Sequence, residues 1–458
     1  MKRVVAVVSL ALAAGCATGR SSAPGAQGGA RFSAPIEYHT LSNGLRVVLS
    51  PDRSVPKVAI GVYYGIGFRV EPRDRTGFAH LFEHMMFQGS KNLGKMEFIK
   101  LVQANGGVLN GSTRFDFTNY YQVVPSNVLD TILWAEADRM RGLAVTKENL
   151  RNQQGVVINE VKVNVLNRPY GGFPWLDVPQ VANVNWYNAH NFYGDLRDIE
   201  AATLPDVQHF FDTYYAPNNA TVAVVGDFDP KEALALVEKR FGGIAPAAQP
   251  PRPDVAEPRQ TEERRGGKVD PLAERPALAV AWHVPPRRTP EFAAFVLLDQ
   301  MVLQGHDSAL YRKLVQEKGL TGDVSGGINL LGNPWNYQGP MLHIAYLFHD
   351  KDRTPAEVLQ AVDEALAPFL AKPVDAETLA RAKVKARSAL YDEMEGFYGF
   401  GLADLLATSA LFDAKPEQVN THEAELQAVT AEQVLEVARE WLRATNRTVY
   451  LVKTKDQG

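Results

Sequence analysis

The feature that most constrains this chain is a repeat. Residues 203–225 and 430–452 align without a gap at an offset of 227. Thr203-Leu-Pro-Asp-Val207 faces Thr430-Ala-Glu-Gln-Val434, and the same offset pairs Tyr214 with Trp441, Asn219 with Asn446, Thr221 with Thr448 and Val222 with Val449. Each copy reads as an amphipathic helix, a short loop and a β-branched strand. A register held over this length indicates a duplicated unit, so the fold should consist of two similar halves. The 458 residues suit two to three cores rather than one. A stretch at 246–271, rich in Pro, Arg and Glu and without apolar periodicity, reads as a linker. The expected domains are therefore 35–245 and 272–458.

Within the first half, residues 45–49 and 58–64 read as neighbouring strands, 77–87 as a helix, and 108–113 with 119–124 as a hairpin. Two long helical segments follow. That order predicts the α+β class, each domain a sheet packed with helices. Composition, 45% hydrophobic and 22% charged, sets disorder aside, and a net charge of −4 leaves no basic footprint for nucleic acid. No apolar run of about 18 residues follows the N-terminus, so no spanning helix is expected. At the N-terminus, Lys2 and Arg3 precede an apolar run at 4–14 and then Gly15-Cys16. This looks like a lipoprotein signal: residues 1–15 are removed, and Cys16, the chain's single cysteine, is lipidated. Ala13 stands where Leu is usual, and an ordinary cleaved secretory signal is the alternative. Residues 16–34, rich in Gly, Ser and Ala, read as a flexible tether. The expected location is the periplasm, lipid-anchored at the outer membrane, because Ala17 is not the Asp of an inner-membrane retention signal.

The chemistry concentrates in His80-Leu-Phe-Glu83-His84. At about 100° per residue, His80, Glu83, His84 and Phe87 share one helix face, and Phe78, Leu81, Phe82 and Met85 share the opposite one. Two imidazoles at i and i+4 can reach one metal from adjacent turns, with the intervening carboxylate beside it. Zinc favours such nitrogen and oxygen donors, and a catalytic site keeps one position for water. A helix with two exposed histidines is the plain alternative. A third donor from another helix would argue against that. Glu160, in Gly155-Val-Val-Ile-Asn-Glu160-Val-Lys, is the candidate. Val156, Val157, Val161 and Val163 make its surroundings apolar enough for burial, where a carboxylate needs a partner. Taken by itself, Glu160 also fits a solvated helix face.

With Glu160 placed 76 residues after His84, the chain resembles the pitrilysin/insulinase family of zinc peptidases, which carries an inverted His-x-x-Glu-His helix. The resemblance extends to Ser42-Asn-Gly-Leu-Arg-Val-Val, the run from Gly65 to Glu71, Met86-Phe-Gln-Gly89, Gly106-Gly-Val-Leu-Asn110-Gly-Ser-Thr113, Asn167-Arg-Pro-Tyr-Gly171 and Val225-Gly-Asp-Phe-Asp229. It covers nearly everything from Tyr38 onward. It implies two homologous α+β domains forming half of a clamshell, and one zinc per chain on His80, His84 and Glu160. It further implies a metalloendopeptidase acting on unfolded peptides or small proteins, with a zinc-activated water and Glu83 as general base.

Gln153, two turns before Glu160, stands where many members have a second Glu. The substrate would add as a strand to the sheet edge at 108–113, beside Asn110 and Gly111. A turn leading into a strand explains Gly106, Gly107 and Asn110 equally well. The second half has no copy of the zinc motif. The family's Arg and Tyr, which bind the substrate carbonyl, would fall on Val315 and Gly322, with Tyr311 and Arg312 out of register. The implied partner is a homologous subunit that supplies this pair. Readings from other classes are a non-catalytic envelope scaffold or processing subunit that kept the fold, and a structural zinc protein. The last would call for four protein ligands, not three.

Overall fold

Runs of β-branched and aromatic residues make the strands of two mixed sheets. The computed structural model describes residues 32–457, and residues from Pro35 onward form one compact unit. The signal segment, Cys16 and the tether up to residue 31 lie outside the described residues. The first sheet contains β1 (Glu37–Thr40), β2 (Arg46–Pro51), β3 (Lys57–Tyr64), β4 (Val108–Thr113), β5 (Thr118–Pro125) and β6 (Ala220–Gly226), in the order β1-β2-β6-β3-β5-β4. The hairpin at 108–125 forms as expected, with Asn110 opposite Tyr121. Strands β2 and β3 form too, but they are not neighbours. Strand β6 lies between them, parallel to β2 and antiparallel to β3. The physical reason is coverage: β6 is buried at every residue but the last, so it takes a central place with helices on both faces.

The second sheet contains β7 (Arg264–Asp270), β8 (Ala277–His283), β9 (Ser325–Ile328), β10 (Leu342–Phe348) and β11 (Arg447–Thr454), in the order β7-β11-β8-β10-β9. Its plan repeats that of the first. A parallel pair, β7 with β11, is followed by antiparallel pairs to β8, β10 and β9. The stretch read as a linker therefore ends in a strand: Arg264–Asp270 occupies the place of β2. Its Arg-Arg-Gly-Gly-Lys sequence hides this, because an edge strand with one exposed face needs no apolar run.

The repeated segments match in detail. The Leu204–Tyr214 and Ala431–Trp441 helices each open on a capping box, Thr203 with Asp206 and Thr430 with Gln433. After each helix an asparagine amide donates back to a carbonyl: Asn219 to Tyr214 O at 2.9 Å, and Asn446 to Trp441 O at 2.7 Å.

Period-two alternation divides the first sheet between two cores. Along β3, Val58, Ile60, Val62 and Tyr64 join Phe78, Leu81 and Phe82. Ala59 and Tyr63 point the other way, into the core of the second half. The Tyr63 hydroxyl donates to Asp404 at 2.6 Å, and Asn336 completes that buried link at 3.0 Å.

Candidate active site

Helix α1 (Phe78–Met85) carries the motif. Its core face is Phe78, Leu81, Phe82 and Met85, all fully buried, each large side chain contributing roughly 1.5–3 kcal/mol. Gly77 begins the helix at φ 79°, and a Cβ there would lie 2.4 Å from Tyr193 O. Glycine is thus required, and no side chain at that position can cap the helix. The Glu71 carboxylate does so instead: the Gly77 and Ala79 N–H groups donate to its two oxygens at 2.8 and 2.5 Å.

The Lys147–Val161 helix brings Glu160 over this face. His84 Nε2 lies 3.2 Å from Glu160 Oε2, and His80 Nε2 lies 3.6 Å from Oε1. Among the described residues, these three place one donor atom each within 4.8 Å of one another. A tetrahedral ion with ligand bonds of about 2.1 Å keeps its donors about 3.4 Å apart, so the donor set fits zinc and leaves a fourth position.

The surroundings tune each group. Burial pushes His80 down to about 4, aided by His84 and opposed by Glu160, which leaves its ring neutral. Burial also works against a charge on His84, but the hydrogen bond and charge of Glu160, then Glu83 and Gln153, outweigh it and raise that histidine. Glu160 is held below the usual carboxylate range by the His84 bond, against its own burial. Burial pushes the Glu83 carboxyl up, and the Thr113 hydroxyl, donating at 2.8 Å, pulls it partly back.

The remaining expected residues are positioned as follows. Gln153 is buried on the helix that carries Glu160, two turns before it, and its side chain helps to raise His84. Gly111 lies against Glu83: a Cβ there would be 3.3 Å from Glu83 Cγ. Asn110 is exposed. Its side chain accepts from the Gly111 N–H at 2.9 Å and stands opposite Tyr121 across the hairpin, on the sheet face away from Glu83. Strand β4 is an edge, with its outer side unpaired. Val157 and Val161 are buried as expected, but Val156 and Val163 are 42% and 56% exposed. The chain passes into a π-helical turn at Lys162–Leu166, which rotates Val163 off the α-helical face. In the second half Val315 packs against the core, and Gly322 is exposed with open space beside its Cα.

Sequence reasoning passed over Tyr193. Its hydroxyl lies 3.4 Å from Glu160 Oε1, and its ring packs 5.1 Å from that of His80. Phe192 covers the same imidazole at 5.3 Å. The segment is held against the motif helix at Gly77 and Gly194, each of which lacks room for a Cβ because the two stretches lie in contact.

A sequence profile described as "Insulinase (Peptidase family M16)" matches residues 46–169, and one described as "Peptidase M16 inactive domain" matches residues 201–385. The zinc protease PqqE of Helicobacter pylori is 31% identical over 291 residues. That match covers 62% of this chain and 64% of the relative, less than two thirds of its length. The crystal structure of a protease from Helicobacter pylori superposes with a TM-score of 0.84 at 25% identity, over 92% of this chain and all of that one. The periplasmic protease PqqL of Escherichia coli shares the fold at 18% identity and a TM-score of 0.73. There 93% of this chain corresponds to 48% of the other.

Proposed function

Because the chain belongs to the M16 peptidase family, we propose that it is a zinc metalloendopeptidase hydrolysing unfolded peptides or small proteins. The observation that carries this reading is the donor triangle of His80, His84 and Glu160 with Glu83 beside it and outside it. Zinc bound there supplies Lewis acidity, making water nucleophilic near neutral pH. Glu83 removes a proton from the attacking water and delivers it to the leaving amine. Its raised affinity for a proton suits that exchange, and the Thr113 hydroxyl holds its orientation. The Tyr193 hydroxyl steadies Glu160 from behind, and Gln153 favours the charged form of His84. The peptide pairs along the free edge of β4, where Gly111 leaves room between strand and base.

The chain works with a homologous subunit that supplies an Arg and a Tyr to the substrate carbonyl, since Val315 and Gly322 have no donor to offer. The likeness to about half of a longer protease supports this division. The inactive-domain match spans 201–385, which excludes all of His80, Glu83, His84 and Glu160, so it does not favour a wholly non-catalytic scaffold. Hydrolysis of a quenched peptide library, with and without the homologous subunit, tests the function; no cleavage in either mixture returns the scaffold reading.

A lipid on Cys16 holds the protein to the outer membrane from the periplasmic side. Each buried methylene of the acyl chains contributes about 0.8 kcal/mol to that anchoring. Cys16→Ser should release the protein or block its processing. Fractionation showing the variant processed and still membrane-bound would rule the anchor out.

A further inference from the structure

Glu71 is fully buried, yet it is neither a donor in the metal triangle nor the base. Both of its oxygens are taken by the N–H groups of Gly77 and Ala79, at the start of α1. Its companion is His190, whose Nε2 lies 3.8 Å from Glu71 Oε2. That imidazole sits between two carbonyl oxygens, Nε2 at 2.6 Å from Phe68 O and Nδ1 at 3.1 Å from Trp186 O. The ring is thus held by backbone carbonyls on both sides, with its Nε2 edge turned towards the carboxylate. Stacking on Trp186, centroids 4.2 Å apart and planes 5° apart, fixes the ring.

The consequence follows from the length of α1. Eight residues make barely two turns, too few to hold a helix by themselves. His80 is the third residue and lies in the first turn, whereas His84 lies in the last. The distance between the two imidazoles therefore depends on whether the first turn stays closed. The group closing that turn is Glu71, bonded directly to the residue before His80. We propose that Glu71 is a positioning residue for the metal site: backed by the His190 ring, it clamps the first turn of α1 and so fixes His80 against His84 and Glu160. This rests on the metal-site reading above and concerns what sets the site's affinity.

The test is zinc affinity of the full chain by competition with a chromophoric chelator, together with the visible spectrum of the cobalt-loaded protein and the melting temperature of the metal-free protein. Glu71→Ala should weaken zinc binding by about 10–100-fold, the range for groups that orient ligands, and should alter the cobalt spectrum. Glu71→Gln retains one acceptor oxygen and should fall between; it decides the matter if the alanine variant does not fold. His190→Gln removes the ring that backs the carboxylate while leaving both N–H bonds to Glu71 available, and should loosen the metal less than Glu71→Ala. Asp404→Asn, at a buried carboxylate between the halves, should shift melting without moving zinc affinity. Unchanged zinc affinity and cobalt spectrum in the folded Glu71 variants overturn the proposal, even with a lower melting temperature. Absence of zinc binding in the unsubstituted chain overturns the metal-site reading itself, and the role of Glu71 with it.

Discussion

The two halves share a strand plan and part company at the helix that follows the β3 or β8 strand. In the first half that helix is α1, eight residues long, with three polar side chains on one face. Glu160 and His84 keep 28% and 21% of their side chains open to solvent. In the second half it is Pro290–Val302, thirteen residues, with nine buried. That helix also carries a carboxylate next to a histidine: Asp299 Oδ1 lies 2.8 Å from His343 Nε2. But this pair is sealed, with side-chain exposures of 7% and 1%. The difference teaches where a site comes from. One scaffold supports both arrangements; what distinguishes them is whether the donors satisfy each other inside the protein or converge at a surface with a position to spare.

The largest expected effect breaks that comparison most sharply. His80→Ala, His84→Ala and Glu160→Ala should each reduce zinc from about one per chain to none by elemental analysis. His343→Ala should leave zinc untouched, but it removes a buried hydrogen bond to Asp299 and should cost about 1–3 kcal/mol of stability. Full zinc occupancy in the Glu160 variant would mean that another residue is the third ligand.

A smaller effect concerns what the second half lacks. On the proposed reading, with no donor at Val315 or Gly322, substrate positioning falls to the β4 edge alone. Adding a homologous subunit that bears the Arg and Tyr should raise kcat/KM by on the order of 10²-fold, a fraction of what full positioning can supply. Robust turnover by the chain alone, unchanged by that subunit, would contradict the heterodimer and point to a self-sufficient homodimer.

The smallest effect separates the two capping boxes. Asp206 is held down to about 2, first by hydrogen bonds from Thr203 and then by Arg75, against an ordinary value of 3.8. Its folded-state value is depressed, so its stabilisation is present above pH 3.8 and is lost as pH falls towards 2. Gln433, in the matching place, does not titrate. Hydrogen exchange should therefore show the Leu204–Tyr214 helix losing first-turn protection over that interval, while Ala431–Trp441 keeps it. Equal loss in both helices would show that the acid sensitivity lies elsewhere.

These contrasts also explain what the sequence made legible. The α1 motif could be read because helical periodicity is local and its core face is uniformly apolar. The duplication was visible because capping box, turn asparagine and strand kept one register through both copies. Strands β2 and β3 were read as neighbours because the strand between them, β6, pairs with β2 at Arg46↔Thr221, 175 residues away, and no local pattern encodes such a pairing. Strand β7 was hidden because its backbone partners, not its side chains, make it a strand. Glu71 and Tyr193 escaped for the same reason as β6. Tyr193 meets a residue 33 positions away, and Glu71 acts through backbone N–H groups that leave no trace in residue type. Val163 was misjudged because a π turn interrupts the helical period on which its burial was inferred.

The most direct measurement of the central claim separates metal binding from catalysis at one residue. Glu83→Gln keeps the side chain's size and can still accept from the Thr113 hydroxyl, but it cannot take up a proton. Zinc content and peptide hydrolysis should be measured side by side on this variant, assayed with the homologous subunit present. The expected result is zinc at the unsubstituted level with a rate at least about 10²-fold lower. Near-normal turnover with zinc retained would contradict the assignment of Glu83 as the base.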